Sequence, residues 1–168
     1  MSTVTNKKES VVQFIISALV GSFFIFSAIT KVIPIESFEF TLKSQLGFSD
    51  FASAYWARFF VGLEAGLGLL LLANIFGKSK WVIKMSFGMV VAFTIHLAIL
   101  YFRLGNDVNC GCMGDRFYMP PLQSILKNVV LLVLLAIVWR GSRPNYSNTQ
   151  HWVASLLLAA LVAVPFIM

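Results

Sequence analysis

Residues 57–73 read ARFFVGLEAGLGLLLLA, and the fold turns on which solvent surrounds this stretch. Arg58 and Glu64 are its only charged side chains, and with its flanks the apolar run covers about 54–76. That is close to the roughly 20 residues that cross a bilayer core as a helix. Comparable runs recur at about 11–33, 81–102, 124–140 and 151–168, the last two at the short end of the crossing range. Hydrophobic residues make up 58% of the 168 and charged residues 12%, against about 45–50% and 25% in globular domains. The mean hydropathy is +0.83. The chain is therefore an all-α, polytopic membrane protein, most of whose surface meets lipid.

The first run follows Lys7 and Lys8, as a signal peptide would. It is longer than the roughly 7–15 residues of a signal-peptide core, and no clear A-x-A site follows, so it reads as a retained signal anchor. Between the first two runs, Pro34 to Ser53 intersperses Phe38, Leu42, Leu46 and Phe51 with Glu36, Glu39, Lys43 and Asp50. This spacing predicts a short amphipathic helix lying in the interface. RGSRPNYSNTQ, residues 140–150, is a loop interrupted by Pro144.

The formal net charge is +6, but its bases are scattered through loops and helix ends without a basic stripe or a reading motif, so nucleic acid is not the partner. The bases bear instead on topology. With the N-terminus inside, the inner segments hold Lys7, Lys8, Lys78, Lys80, Lys84, Arg140 and Arg143 against a single acid, Glu9. The outer segments hold nearly as many bases over longer stretches, so the density favours N-in. That orientation puts the loop NCGCMGD, Asn109–Asp115, on the outer face, periplasmic if the membrane is a bacterial inner membrane.

Cys110 and Cys112 are the two cysteines of the chain. Bridging them requires a tight turn, which Gly111 permits because glycine reaches backbone angles closed to other residues. Such a ring removes little chain entropy and is strained, so it suits thiol exchange better than stabilisation. Three readings stay open: a redox pair, a local structural clip, or two soft metal ligands with His96 as a third.

Charged groups inside a bilayer cost about 2.5–3.5 kcal/mol each on insertion scales, so each requires a reason. Glu64 lies roughly 12–15 Å below the outer surface and His96 roughly 10 Å, by helical rise. Lys31, Arg58, Arg103, Lys127 and Asn128 lie at outer helix ends, whereas Leu69–Ala73 and Leu131–Ile137 are wholly apolar. Polar groups that stop near mid-membrane argue against a channel or transporter. They predict a pocket open to the outer leaflet, floored by an apolar plug and roofed by the cysteine loop. Glu64 is expected to pair with Lys31 or Arg58. Gly62 with Gly66, and Gly88 with Ala92, are expected to let helices approach closely within the bundle.

Gly21, Phe24, Phe26, Ser27 and Lys31 closing the first span, followed by RFFVGLEAGLGLLL, resemble the DoxX-like superfamily of small membrane proteins. NCGCMGD followed by SILKNVVLL at 124–132 resembles its methylamine utilisation protein MauE branch. The resemblance implies a four-helix membrane bundle over residues 1–140, to which residues 141–168 add a loop and a fifth, C-terminal transmembrane helix. It also implies relatives that mature disulfide-rich periplasmic proteins or couple sulfur oxidation to quinone. On that likeness Cys110 and Cys112 are exchanging thiols, and Lys31, Glu64 and Lys127 belong to the polar pocket. His96 joins them by its depth, with a membrane quinone as the electron acceptor and a periplasmic protein or membrane-complex subunit as the partner. A different class of function, a non-enzymatic assembly factor with a structural C-x-C loop, accounts for the same residues. No hydrolase triad, phosphate loop or dinucleotide fingerprint occurs in the chain.

Overall fold

The computed structural model describes residues 2–33, 35–73, 80–111, 118–141 and 148–166. Those residues form six α-helices and no strand: α1 Ser2–Val32, α2 Ile35–Leu46, α3 Asp50–Ala73, α4 Lys80–Leu104, α5 Pro121–Gly141 and α6 Asn148–Ala163, the last running into a 3-10 turn at Val164–Phe166. Four of them carry stretches long and apolar enough to cross a membrane: Val11–Val32, Asp50–Leu72, Trp81–Leu104 and Pro121–Gly141. The chain is a multi-pass membrane protein.

Local chemistry sets the helix ends. The Ser49 hydroxyl accepts from the Ala52 amide at 3.4 Å, capping the start of α3. Pro121 opens α5, where a missing amide hydrogen costs nothing. Gly47 and Gly105 close α2 and α4 with φ of 70° and 77°, their amides donating to the carbonyls of Lys43 and Tyr101. Left-handed glycines of this kind satisfy carbonyls that the helix leaves orphaned.

The four long helices alternate in direction. Ser17 Oγ donates to the Leu71 carbonyl at 3.1 Å, and a Cβ placed on Gly21 would lie 2.7 Å from the Gly68 carbonyl oxygen, so α1 and α3 run antiparallel with backbones almost touching. Asn128 meets Thr94 and Trp139 meets Phe87, which makes α5 antiparallel to α4. In lipid, where the hydrophobic effect does not join helices, this close packing of small residues supplies the attraction. The half of the bundle away from the cysteine loop is an apolar core that includes Val20, Leu67, Leu71, Ile83, Leu135 and Val138. α2 lies against the other half, with Phe38 and Leu42 packed on Ala28, Ala57 and Val61, as its amphipathic spacing predicts, whereas Phe51, expected on the same face, belongs to α3 and is exposed.

Two expectations are corrected. The apolar part of the final segment is Ser155–Phe166, about 18 Å at helical rise and well short of a hydrocarbon core of about 30 Å. Pro165 lies in the 3-10 turn that ends it. The expected fifth span is thus a short helix packed on α3. It takes up the glycine pair: a Cβ on Gly62 would meet the Val162 backbone at 2.8 Å, and one on Gly66 would meet Leu158 at 2.7 Å. At 100° per residue, Gly62 and Gly66 face nearly opposite to Glu64, so the glycines serve α6 while the carboxylate points into the bundle. Gly88 makes no close helix approach, because a Cβ there would have nothing within 4 Å.

Candidate functional site

Lys31 and Glu64 come together through the direction in which helical side chains lean. Each Cα–Cβ bond tilts toward its own helix N-terminus, so on antiparallel helices two side chains at different levels lean toward each other. By the register of Ser17 with Leu71 and Gly21 with Gly68, Lys31 starts about six residues, or roughly 9 Å, from the level of Glu64. The two side chains close that gap, Lys31 Nζ lying 2.7 Å from Glu64 Oε2 with both residues buried. The same ammonium donates to Ser27 Oγ at 2.8 Å and stands 5.8 Å from the ring centres of Phe38 and Phe93. Of its three N–H groups, two are thus used among the described residues. Arg58, the alternative partner, pairs with Glu39 of α2.

The cysteine loop is fastened from several sides. The Cys110 amide donates to the Met119 carbonyl at 3.2 Å, and Asn109 Oδ1 accepts from the Gly111 and Met119 amides. Gln45 of α2 donates to the Asn109 carbonyl at 3.1 Å. Gly111 has φ of 67° and presses on Thr41, whose side chain a Cβ would meet at 2.7 Å. This is the unusual backbone expected of it. Cys110 is buried, its Sγ 2.9 Å from Ser124 Oγ in a shared hydrogen bond. Cys112, its expected redox partner, lies outside the described residues.

One cavity of about 420 Å³ is lined by Lys31, Glu64, His96, Cys110, Lys127 and Asn128. The five described candidate site residues, Lys31, Glu64, His96, Cys110 and Lys127, therefore border the same space with Asn128, although they come from four helices and a loop. Its walls are largely apolar and rich in phenylalanine, among them Phe23, Phe38, Phe60 and Phe93. Lys127 caps the Phe23 ring with its ammonium 5.4 Å from the centre, and Asn128 Nδ2 donates to Thr94 Oγ1 at 3.2 Å. Such a chamber can hold a flat apolar molecule and offer its oxygen atoms cationic and N–H donors at one end. Among the described residues, no group of three or more His, Cys, Asp or Glu gathers to hold a metal ion.

The cavity is longer than the sequence suggests. It follows one face of α4 from His96 through Phe93, Met89 and Met85 to Lys84, about 18 Å along the axis. The pocket is therefore not floored at mid-membrane; the apolar core lies beside its lower part. Sequence reasoning missed Ser27 as the second acceptor for Lys31, although the i, i+4 spacing was a signal. It also missed Thr41 and Phe38, because nothing in α2 announces which helix it covers. Ser124 and Asn128 stood in the quoted SILKN motif without an assigned role.

No solved structure matches the chain. Protein TlpB of Flavobacterium psychrophilum is 33% identical over 164 residues, covering 94% of this chain and 44% of that protein. The chain thus spans less than half the length of this curated relative. The family described as methylamine utilisation protein MauE matches residues 9–141, the whole four-helix bundle with its cysteine loop. By that match the chain belongs to the MauE family.

Proposed function

We propose that the protein is a membrane thiol–disulfide redox protein that moves electrons between a partner at the cysteine loop and a quinone in the cavity. The observation that carries this reading is that Cys110, held by Ser124, lines the same chamber as His96 and the Lys31–Glu64 pair. A thiol that only shaped a loop has no need of an aromatic, cation-edged chamber behind it. The Cys110 and Cys112 thiols give up two electrons and two protons as their Sγ–Sγ bond forms, and the quinone is reduced to quinol. The disulfide then accepts the electrons of a reduced partner through a mixed disulfide, which returns both cysteines to thiols and leaves the partner oxidised.

In this reading, Lys31, His96 and Lys127 are the donors nearest the quinone oxygens, and Glu64 keeps the Lys31 ammonium in place. The phenylalanine walls exclude water and stack on the ring. The loop faces the oxidising side of the membrane, the periplasm in a bacterium, with the N-terminus inside. On this reading the protein oxidises thiols of other proteins on that side.

The test is the redox state of the two cysteines in purified protein in lipid nanodiscs. Reduced protein should reoxidise on addition of a quinone and consume one quinone per thiol pair, while Cys110→Ser and Cys112→Ser should each fall to background. Thiols that stay reduced with quinone present would overturn the proposal.

A further inference from the structure

The cavity has an exit at the lipid. Gly88, Ala92, Lys84 and Met85 all line it and are all exposed, and all four belong to the membrane span Trp81–Leu104. A residue that borders a cavity and also meets the outside forms its rim, so the rim here faces acyl chains rather than water. Gly88 stands at the middle of this rim, and a side chain built there would point into open space. α4 rests mainly on α5, touches α3 only thinly and is separated from α1 by the cavity itself. Apart from Lys84, whose ammonium stands 5.9 Å from the Trp139 ring centre, the polar groups are gathered at the other end, where His96 lies eight residues, about 12 Å, beyond Gly88.

We propose that the α4 rim at Gly88 is a lateral portal through which the cavity takes its ligand from the bilayer, and that the ligand carries a long apolar tail which stays in the portal while the head reaches Cys110. The inference rests on the quinone reading above and deepens it: the acceptor is a prenyl-tailed quinone that never leaves the membrane, not a water-soluble oxidant arriving through the loop. Gly88 and Ala92 are small so that the tail can lie across α4, and Met85 supplies an adaptable wall. A side chain at Gly88 starts into the path with no atom within 4 Å of its Cβ, so the unfolding temperature of the variant separates loss of the portal from loss of the fold.

The experiment compares wild type, Gly88→Phe and Gly88→Ala in nanodiscs, reading reoxidation of the reduced cysteines with a long-tailed prenylquinone and with a tailless ring analogue. Gly88→Phe should slow the long-tailed reaction by roughly tenfold or more, as a bulky group forced into an occupied path does. It should leave the tailless reaction and the thermal unfolding temperature near wild type, and Gly88→Ala should leave both reactions near wild type. Equal rates for Gly88→Phe and wild type with the long-tailed quinone would overturn the portal, as would an equal loss with both quinones. Failure of wild type with both quinones would instead overturn the quinone reading, whereas failure with the long-tailed quinone alone would overturn the portal. Organic extracts of the purified wild type should contain prenylquinone that extracts of Gly88→Phe lack; a retained phospholipid in place of quinone would also count against the proposal.

Discussion

The two ends of the bundle are built by opposite rules. Away from the cysteine loop, Gly21 and Gly68 bring α1 and α3 into backbone contact, and Leu67, Ile83 and Leu135 are almost wholly buried. Around a chamber that opens toward the loop and continues as a strip along α4 to Lys84 the helices stand apart, and the residues that border its loop end include a buried lysine, a buried glutamate, an asparagine and a thiol. Tight packing at one end holds the helices in register, so the other end can keep a cavity and polar groups that would be destabilising in a continuous core. The difference teaches that in this fold the site is placed where packing is incomplete, and that stability is supplied elsewhere.

Removing one member of the buried ion pair should produce the largest change in stability. Glu64→Ala leaves the Lys31 ammonium buried without its counter-charge and is expected to destabilise the bundle by about 3–5 kcal/mol in denaturation measured in detergent. The double replacement Lys31→Met with Glu64→Leu should recover most of that loss while still abolishing quinone-dependent reoxidation. A double variant as unstable as Glu64→Ala would mean that the pair, and not only its balance of charge, holds the loop end together. At the opposite end, Gly21→Ala drives a methyl group against the Gly68 carbonyl, and the same denaturation experiment should show a loss of about 1–3 kcal/mol. If Gly21→Ala were neutral, the contrast between a tight end and an open end would fail. The smallest effect belongs to Gly88→Ala, whose new methyl enters open space, with an expected change within about 0.5 kcal/mol.

Much of the fold was legible because a bilayer imposes length on helices. The four long apolar runs correspond to the four spans, and Phe38 and Leu42 marked the buried face of α2 before any helix was placed. The final run was misread because its composition alone looked like a span, while Pro165 and the short extent of Ser155–Phe166 limit its reach. Glycine spacing was a weak guide for a related reason. Gly62, Gly66 and Gly88 look alike in the sequence, yet two face α6 at close range and one faces a void.

For the site, the sequence by itself determined which residues needed an explanation: two cysteines around a glycine, and Lys31, Glu64, His96 and Lys127 in apolar surroundings. The energetic cost of a charge in lipid singles these out without any knowledge of neighbours. Only the tertiary structure decided that Glu64 takes Lys31 and leaves Arg58 to Glu39. It alone decided that Cys110 meets Ser124 and that the cavity continues along α4 to Lys84. Those outcomes depend on helix register and on which faces oppose each other across the bundle. Register is fixed by the crossing at Gly21 and Gly68, a contact between residues 47 positions apart that no local pattern encodes.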